Sequence, residues 1–403
     1  NRITAASTQI DVKTAKAALF PSLSFSTSQQ VVNRPYQETS SRVSGSEIIS
    51  SNSKTSYNGN YGLNVSWTLY NGNKRLKTIQ QEKLNNQVAE LDVATSENNI
   101  QESIAQVYIQ ILYAAESVKV NESTLQVSIA QRDRGQELLN AGSIAKSDFA
   151  QLEAQVSTDR YQLVTAQATL EDYKLQLKQL LELDGENEMN IYLPALSDEN
   201  VLAPLPTKKD VYISALSLRP EIEASKLNVE ASELGIGIAK SSYLPTISLS
   251  AGIGTNHTSG SDFTFGEQVK NGWNNSIGLS VSVPIFNNRQ TKSAVQKAKL
   301  QYETSMLSLL DEQKTLYKTI EGLWLDANSA QQRYAAANEK LKSTQISYEL
   351  ISEQFNLGMK NTIELLTEKN NLLQAQQEQL QAKYMAILNT QLLKFYQGDQ
   401  LAI

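Results

Sequence analysis

The chain has 403 residues, a net charge of −6 from 36 Lys and Arg against 42 Asp and Glu, and no cysteine. That balance leaves no basic stripe to track phosphates, which argues against nucleic-acid binding, and the missing cysteine excludes disulfides, thiolate metal sites and cysteine nucleophiles. Aromatics make up only 7%, and Ala, Gln, Glu, Lys and Leu crowd long stretches, a composition of extended helices rather than of two or three globular domains.

No apolar run approaches the roughly 18 residues of a membrane-spanning helix, and no signal peptide is present. The chain is internally duplicated. Tyr61-Gly62-Leu63-Asn64-Val65-Ser66 returns as Ile277-Gly278-Leu279-Ser280-Val281-Ser282, and Gly142 returns as Gly358, both 216 residues on (62 to 278, 142 to 358). A unit this long is a duplicated half-molecule, not a solenoid repeat. Pro21 matches Pro245, so Asn1 falls opposite Ser225, and the expectation is that the first repeat has already begun at Asn1, with any export signal upstream.

In chain order, a helix runs to Lys16 and enters a first hairpin over residues 22–70. Its first strand carries Leu23 and Phe25, fading into Thr27, Gln29 and Val31. Its second alternates Tyr61, Leu63, Val65, Trp67 and Leu69 with Gly62, Asn64, Ser66 and Thr68, the period-two pattern of a strand with one apolar face. Between them, Asn33 to Tyr57 reads as a polar loop. A proline-free helix follows over 74–140, on the order of 100 Å if unbroken. A turn near Gly142 leads to a returning helix over 147–183, which completes a first repeat, 1–183. Residues 184–217, with Pro194, Pro204 and Pro206, form an equatorial connection that wraps outside the helices.

The second repeat, 218–403, gives a helix over 221–242, a hairpin over 246–286, a long helix over 290–356 and a return over 362–397. Ile247, Leu249, Ala251 and Ile253, then Ile277, Leu279, Val281, Val283 and Ile285, line the apolar faces of its strands. The only histidine, His257, falls in the expected loop and reads as solvated, not as a metal ligand. In the long helix Tyr302, Met306, Leu309, Gln313, Leu316, Ile320, Leu323, Ala327, Ala330, Tyr334, Ala337 and Leu341 lie on a 4–3 spacing, a coiled-coil seam. Ile100, Ile104, Val107, Ile111, Ala114 and Val118 carry the same phase in the first half.

Each alternating run has about 9–11 residues, the length of a tilted membrane-spanning strand. Lipid forbids open sheet edges, and four strands cannot close even the smallest barrel of about eight. Several copies must pool strands, and three would give twelve. Long helices wetted on both sides need only their lateral seams to be apolar, which favours a hollow cylinder over a packed bundle. A second reading stays open: a trimeric coiled-coil adhesin or structural stalk with a β-anchor. No nucleophile–base pair, metal triad or phosphate loop appears, so no enzyme activity, cofactor or metal is expected.

The order and duplication of several weak motifs are specific together. They are Leu19-Phe20-Pro21 and Tyr243-Leu244-Pro245 before the odd strands, Leu218-Arg219-Pro220-Glu221, Val281-Ser282-Val283-Pro284-Ile285-Phe286, and the turns around Gly142 and Gly358. Through them the chain resembles the TolC family of trimeric outer-membrane efflux proteins over essentially its whole length. The resemblance implies an α+β membrane protein of a Gram-negative outer membrane, a homotrimer with a twelve-stranded β-barrel, four strands per chain, continuous with a long periplasmic α-helical barrel. It implies an exit duct of a tripartite efflux or type I secretion system, with a periplasmic adaptor protein and an inner-membrane pump as partners.

It also assigns the turns. Gly142, Ser143, Ile144 and Ala145, and Gly358, Met359 and Asn361, become adaptor-docking tips. Lys360 falls where the family has a gating basic residue, Asp148 and Ser147 at its acceptors, and Phe355 at a gating tyrosine whose hydroxyl it lacks. Glu364 matches an acidic residue near the constriction, while the second family aspartate is Thr367 here, which weakens an acidic ring. Glycine suits a left-handed helix end, and Ser147 and Thr362 are the expected caps of the returning helices. Tyr61, Trp67, Trp273 and Phe286 are candidates for membrane-interface girdles.

Overall fold

The computed structural model describes residues 1–36, 40–44, 47–51, 54–183, 191–192, 201–259, 261 and 263–401. The chain forms two compact units, Asn1–Leu91 with Ala224–Leu309, and Asp92–Glu223 with Leu310–Ile403. Each draws on both sequence repeats.

The first unit is built on an antiparallel sheet in the order β1 (Ser22–Asn33), β4 (Thr55–Asn71), β5 (Thr246–Thr258), β6 (Asn274–Ser282). Register pairs Phe25 with Leu63, Leu63 with Ile253, and Leu249 with Leu279, so the aliphatic residues of all four strands share one face. That face is bare: Leu23, Phe25, Ile277, Leu279 and Val281 are each more than half exposed. The opposite face carries Ser, Asn and Gly, laced by cross-strand side-chain bonds such as Ser22 to Ser66 (2.7 Å) and Asn60 to Ser28 (3.3 Å). β1 and β6 are the edges, each paired on one side only among the described residues.

Three strand expectations change. β4 begins at Thr55 and spans 17 residues, because polar Thr55–Asn60 pair with β1 although they carry no aliphatic stripe. The first connection holds a small hairpin, β2 (Ser40–Ser44) with β3 (Glu47–Ser51). β6 stops at Ser282, short of Val283 and Ile285, where Pro284 has no N–H to donate to a ladder.

Helices join the sheet through matched turns. Just past α1 (Arg2–Ala17), two carbonyls are satisfied by side chains: the Trp67 indole N–H donates to Leu19 (2.7 Å) and Arg75 donates to Ala18. Between β4 and α2 (Lys74–Asn140), Gly72 and Asn73 both have positive φ; 216 residues later, before α7 (Gln290–Asn356), so do Asn288 and Arg289. The left-handed pair survives duplication although the glycine does not. α5 (Pro220–Ser241) leads into β5 as α1 leads into β1.

His257 departs from the solvated loop expected for it. It is half-buried at the end of β5, stacked 5.9 Å from Tyr61 and edge-on to Phe265 at 5.1 Å. Its ring occupies the space over Gly59, its register partner, where a Cβ would collide with it. Phe265 belongs to α6 (Phe265–Asn271), a short helix capped by Thr264 and Glu267 inside the expected loop.

In the second unit, α7 buries Leu316, Ile320, Ala327, Ala330, Tyr334 and Ala337, six members of its expected seam, and α2 buries Ile111 and Ala114. Leu316, Ile320, Ala327, Ala330 and Tyr334, with Ile109 and Leu112 of α2, pack on α8 (Thr362–Gln397), which is buried along much of its length, while α3 (Lys146–Leu180) is buried at only four positions. The connection contains α4 (Lys208–Leu218), which composition did not suggest. It is capped by Thr207, tied to α7 by Trp324 N–H donating to Pro206 (3.1 Å), and seated on α8. Val201 is fully buried, so this part of the connection belongs to the core; Pro194 lies outside the described residues.

Arg219, between α4 and α5, is the buried cation of the Leu-Arg-Pro-Glu motif. It donates to Glu102 and Glu221 (2.9 Å each) and lies 4.0 Å over the Tyr396 ring. One side chain thus fastens α2, α5 and α8. Arg219→Ala strands two carboxylates that keep partial access to water, and the expected cost is about 3 kcal/mol, toward the low end for a broken buried pair. Thermal unfolding in detergent measures it; a shift of Tm within error contradicts the assigned role.

Candidate functional site

Two helix–turn–helix tips carry the candidate residues, and they are built alike. At the end of α2, Gly142 has φ 70°, Ser143 N–H donates to Leu138 (2.8 Å) and Gly142 N–H to Leu139 (3.0 Å). At the end of α7, Gly358 has φ 75°, Met359 N–H donates to Gln354 and Gly358 N–H to Phe355 (2.9 Å each). Both are Schellman motifs, in which a left-handed residue returns two N–H groups to otherwise orphaned carbonyls. A Cβ at either glycine would meet nothing within 4 Å, so glycine is required by backbone conformation alone.

The restarts differ from expectation. The cap of α8 is Asn361, not Thr362: Asn361 Oδ1 accepts from Glu364 N–H (2.8 Å), and Glu364 accepts from Asn361 N–H (3.3 Å), a reciprocal capping box. Thr362 is instead the first helical residue, buried with its hydroxyl unpaired. α3 begins after Ala145, whose N–H donates to Asp148 (3.3 Å), and Ser147 sits exposed in the first turn. The α8 start shifts because Asn361 is as good a cap as the Thr362 hydroxyl beside it; at α3 no side chain fills the cap role, and Asp148, three residues into the start, accepts from the Ala145 N–H instead.

Lys360 pairs with Glu364 four residues on, at 2.5 Å, with both side chains about a third exposed or more. The Lys360 hydrogen bond, followed by the Asn361 N–H, holds the Glu364 carboxyl below its ordinary pKa. Asp148 is half-buried on its own helix start. Within one chain, then, each charge is satisfied locally. Phe355 is 2% exposed, packed inward with no polar group to offer. Around Gly358, Leu357, Met359 and Ile363 are 75%, 71% and 61% exposed, an apolar tip facing solvent. At the other tip Ser143 and Ala145 are exposed and Ile144 half-buried. Gly135 was overlooked in the sequence: a Cβ there would strike Leu152, so this glycine lets α2 and α3 pack closely just behind the turn.

The girdle candidates fall at two levels of the sheet. Tyr61, whose hydroxyl accepts from Gln29 (2.9 Å), and Trp273 lie toward the loop ends of their strands; Trp67 and Phe286 lie toward the helix ends. Tyr61 and Trp67, six residues apart, are separated by roughly 20 Å at strand rise.

With this geometry in view, the comparisons decide the family. A model of the outer membrane efflux protein family matches residues 2–182 and 211–398. The chain belongs to the outer membrane efflux protein family. This is a family of transport channels, and membership decides for a channel over an adhesin stalk. Outer membrane efflux protein BepC of Brucella suis biovar 1 is 23% identical over 332 residues, covering 82% of this chain and 70% of its own length. Outer membrane protein TolC of Escherichia coli is 23% identical over 324 residues, covering 78% of this chain and 64% of its own. Among solved structures, the channel CusC superposes with a TM-score of 0.82 at 18% identity, over 99% of this chain and 88% of that one, which establishes the shared fold.

In this efflux-family chain the tip glycines make a sharp prediction. Gly358→Val should cost about 1 kcal/mol or more, because a β-branched residue resists positive φ, whereas Gly358→Asn should cost only a few tenths. Amide exchange in residues 353–361 reads the difference; equal protection in both variants contradicts a conformational role.

Proposed function

We propose that this chain forms, as a homotrimer, the outer-membrane exit duct of a tripartite export system, receiving cargo from a periplasmic adaptor and an inner-membrane pump. The observation that carries the reading is the sheet: four strands, two edges without partners, and one exposed aliphatic face. Edges of this kind are intolerable in lipid, so neighbouring copies must pair β1 with β6 until the ring closes, and three chains supply twelve strands. The aliphatic face then meets acyl chains, the Ser and Asn face meets a watery lumen, and the two aromatic levels meet the two membrane surfaces.

The tips are the periplasmic end. The exposed Leu357, Met359 and Ile363 suit an apolar helical-hairpin adaptor, with Gly142, Ser143, Ile144, Ala145, Gly358 and Asn361 shaping the surface it reads. Lys360, Glu364, Asp148, Ser147 and Phe355 form the gate. Lys360, in the turn before α8, has a partner on that helix and a second carboxylate, Asp148, on the other hairpin type. Exposed pairs hold only weakly because water screens them, so exchanging Glu364 for Asp148 of a neighbouring chain changes little, as a latch worked by an adaptor requires.

Purified protein in planar bilayers tests both levels. Discrete conductance steps are expected, and Asp148→Ala with Lys360→Ala should raise the basal open level. Absence of steps removes the duct; steps unchanged in the double variant remove these residues from the gate.

A further inference from the structure

Behind the tips lies a buried charge cluster that neither the duct nor the gate uses. The Lys369 ammonium on α8 donates to the Asp159 carboxylate on α3 and to the Ser128 hydroxyl on α2, and Ser128 donates to Asp159 in turn. Gln155 completes the site, donating to the second Asp159 oxygen (2.9 Å) and to Asn370 on α8 (3.4 Å). Lys369 and Asp159 side chains are 3% and 1% exposed, against 34% and 40% for the Lys360–Glu364 pair at the tip. Burial pulls the Lys369 pKa down, and the Asp159 carboxylate works against that pull.

A buried ion pair is poor value for stability, since apolar residues of similar volume hold helices together as well. What it adds is direction. Three polar groups meet in one register only, whereas an apolar contact can slide. Separating the pair would leave two bare charges in a dry site, while parting the exposed pair costs little. Position matters too. Lys369 lies nine residues beyond Lys360 and seven beyond Thr362, roughly 10 Å along α8 from its first residue. Ser128 and Asp159 flank Gly142 on the two arms of the first hairpin, and nearby Gln131 of α2 donates to Tyr348 of α7 (2.8 Å). Here the α2–α3 hairpin is fastened to the α7–α8 hairpin.

We infer that Asp159, Lys369 and Ser128 are positioning residues, a pin that stays closed while the tips part and so confines opening to the segments beyond it, about 129–158 and 349–368. This rests on the gate reading given above. The pin is fixed, the latch is labile, and the hairpins bend between them.

The test uses the trimer of this chain, whose 403 residues hold no cysteine and so allow paired spin labels on a chain diluted into unlabelled copies. One pair, Gln136→Cys with Thr367→Cys, reports the tip side; another, Glu122→Cys with Gln374→Cys, reports the far side. An apolar replacement, Asp159→Leu with Lys369→Met and Ser128→Ala, keeps the packing and removes the pin; an exchange, Asp159→Lys with Lys369→Asp, keeps the pair. With the latch removed, the tip-side distance should broaden in the parent while the far-side distance stays narrow. In the apolar variant the far-side distance should broaden too, and basal leak should rise several-fold; the exchange should restore both toward the parent. A far-side distance that stays narrow in the apolar variant overturns the pin. The far-side distance is read without conductance, so latch variants that fail to change leak would refute the gate while leaving the pin to be judged on its own measurement.

Discussion

An unpaired backbone edge beside an exposed aliphatic face is the constraint on which the rest of this structure depends. β1 and β6 each present a row of unused donors and acceptors, and the face between them carries Leu23, Phe25, Leu279 and Val281 in the open. In water the face is an aggregation hazard; in lipid each open edge group costs several kcal/mol. One arrangement relieves both at once, in which copies share edges and the ring turns its aliphatic face to the bilayer. The helices inherit the problem. α2 and α7 leave the sheet through left-handed turns at 72–73 and 288–289, so each copy that adds strands to the ring brings its helices with it at fixed points.

The helical region answers with two kinds of adhesive. Along most of α2, α7 and α8 the contacts are apolar, with alanines such as Ala327, Ala375 and Ala386 that bring backbones close. At two levels they are buried and ionic: Arg219 gathers Glu102, Glu221 and Tyr396, and Lys369 gathers Asp159 and Ser128. These cations lie on α8 or against it, and α8 is the helix with the longest buried face. Directional contacts at fixed heights set the register of the assembly, and the apolar seam supplies adhesion between them.

Much of this was legible in the residues. The 4–3 seam of α7 and the period-two face of β4 are local patterns, and the 216-residue repeat carried each into the other half. Chemistry that depends on partners distant in sequence was hidden. Lys369 and Asp159 sit in Gln- and Glu-rich helices where a charge ordinarily meets solvent, and only the fold brings them together. His257 looked like a loop residue because its support, the empty space over Gly59, is on another strand. α4 and α6 are short, and flanking prolines and glycines masked their periodicity. The caps erred by one or two residues because Asn361 stands beside an equally good capping residue. At the tips the turn geometry was readable from glycine alone, while the pairing of Lys360 with Glu364 became visible only once the helix start was placed.

Shared edges are the central claim, and crosslinking reads them directly. In this cysteine-free chain, one cysteine in β1 combined with a series of single cysteines along β6 allows disulfides only where the two edges meet. Oxidation in native membranes should give, at one register along β6, a ladder that ends at three chains. A product that remains monomeric at every position, or a ladder that stops at two chains or runs past three, would contradict the account.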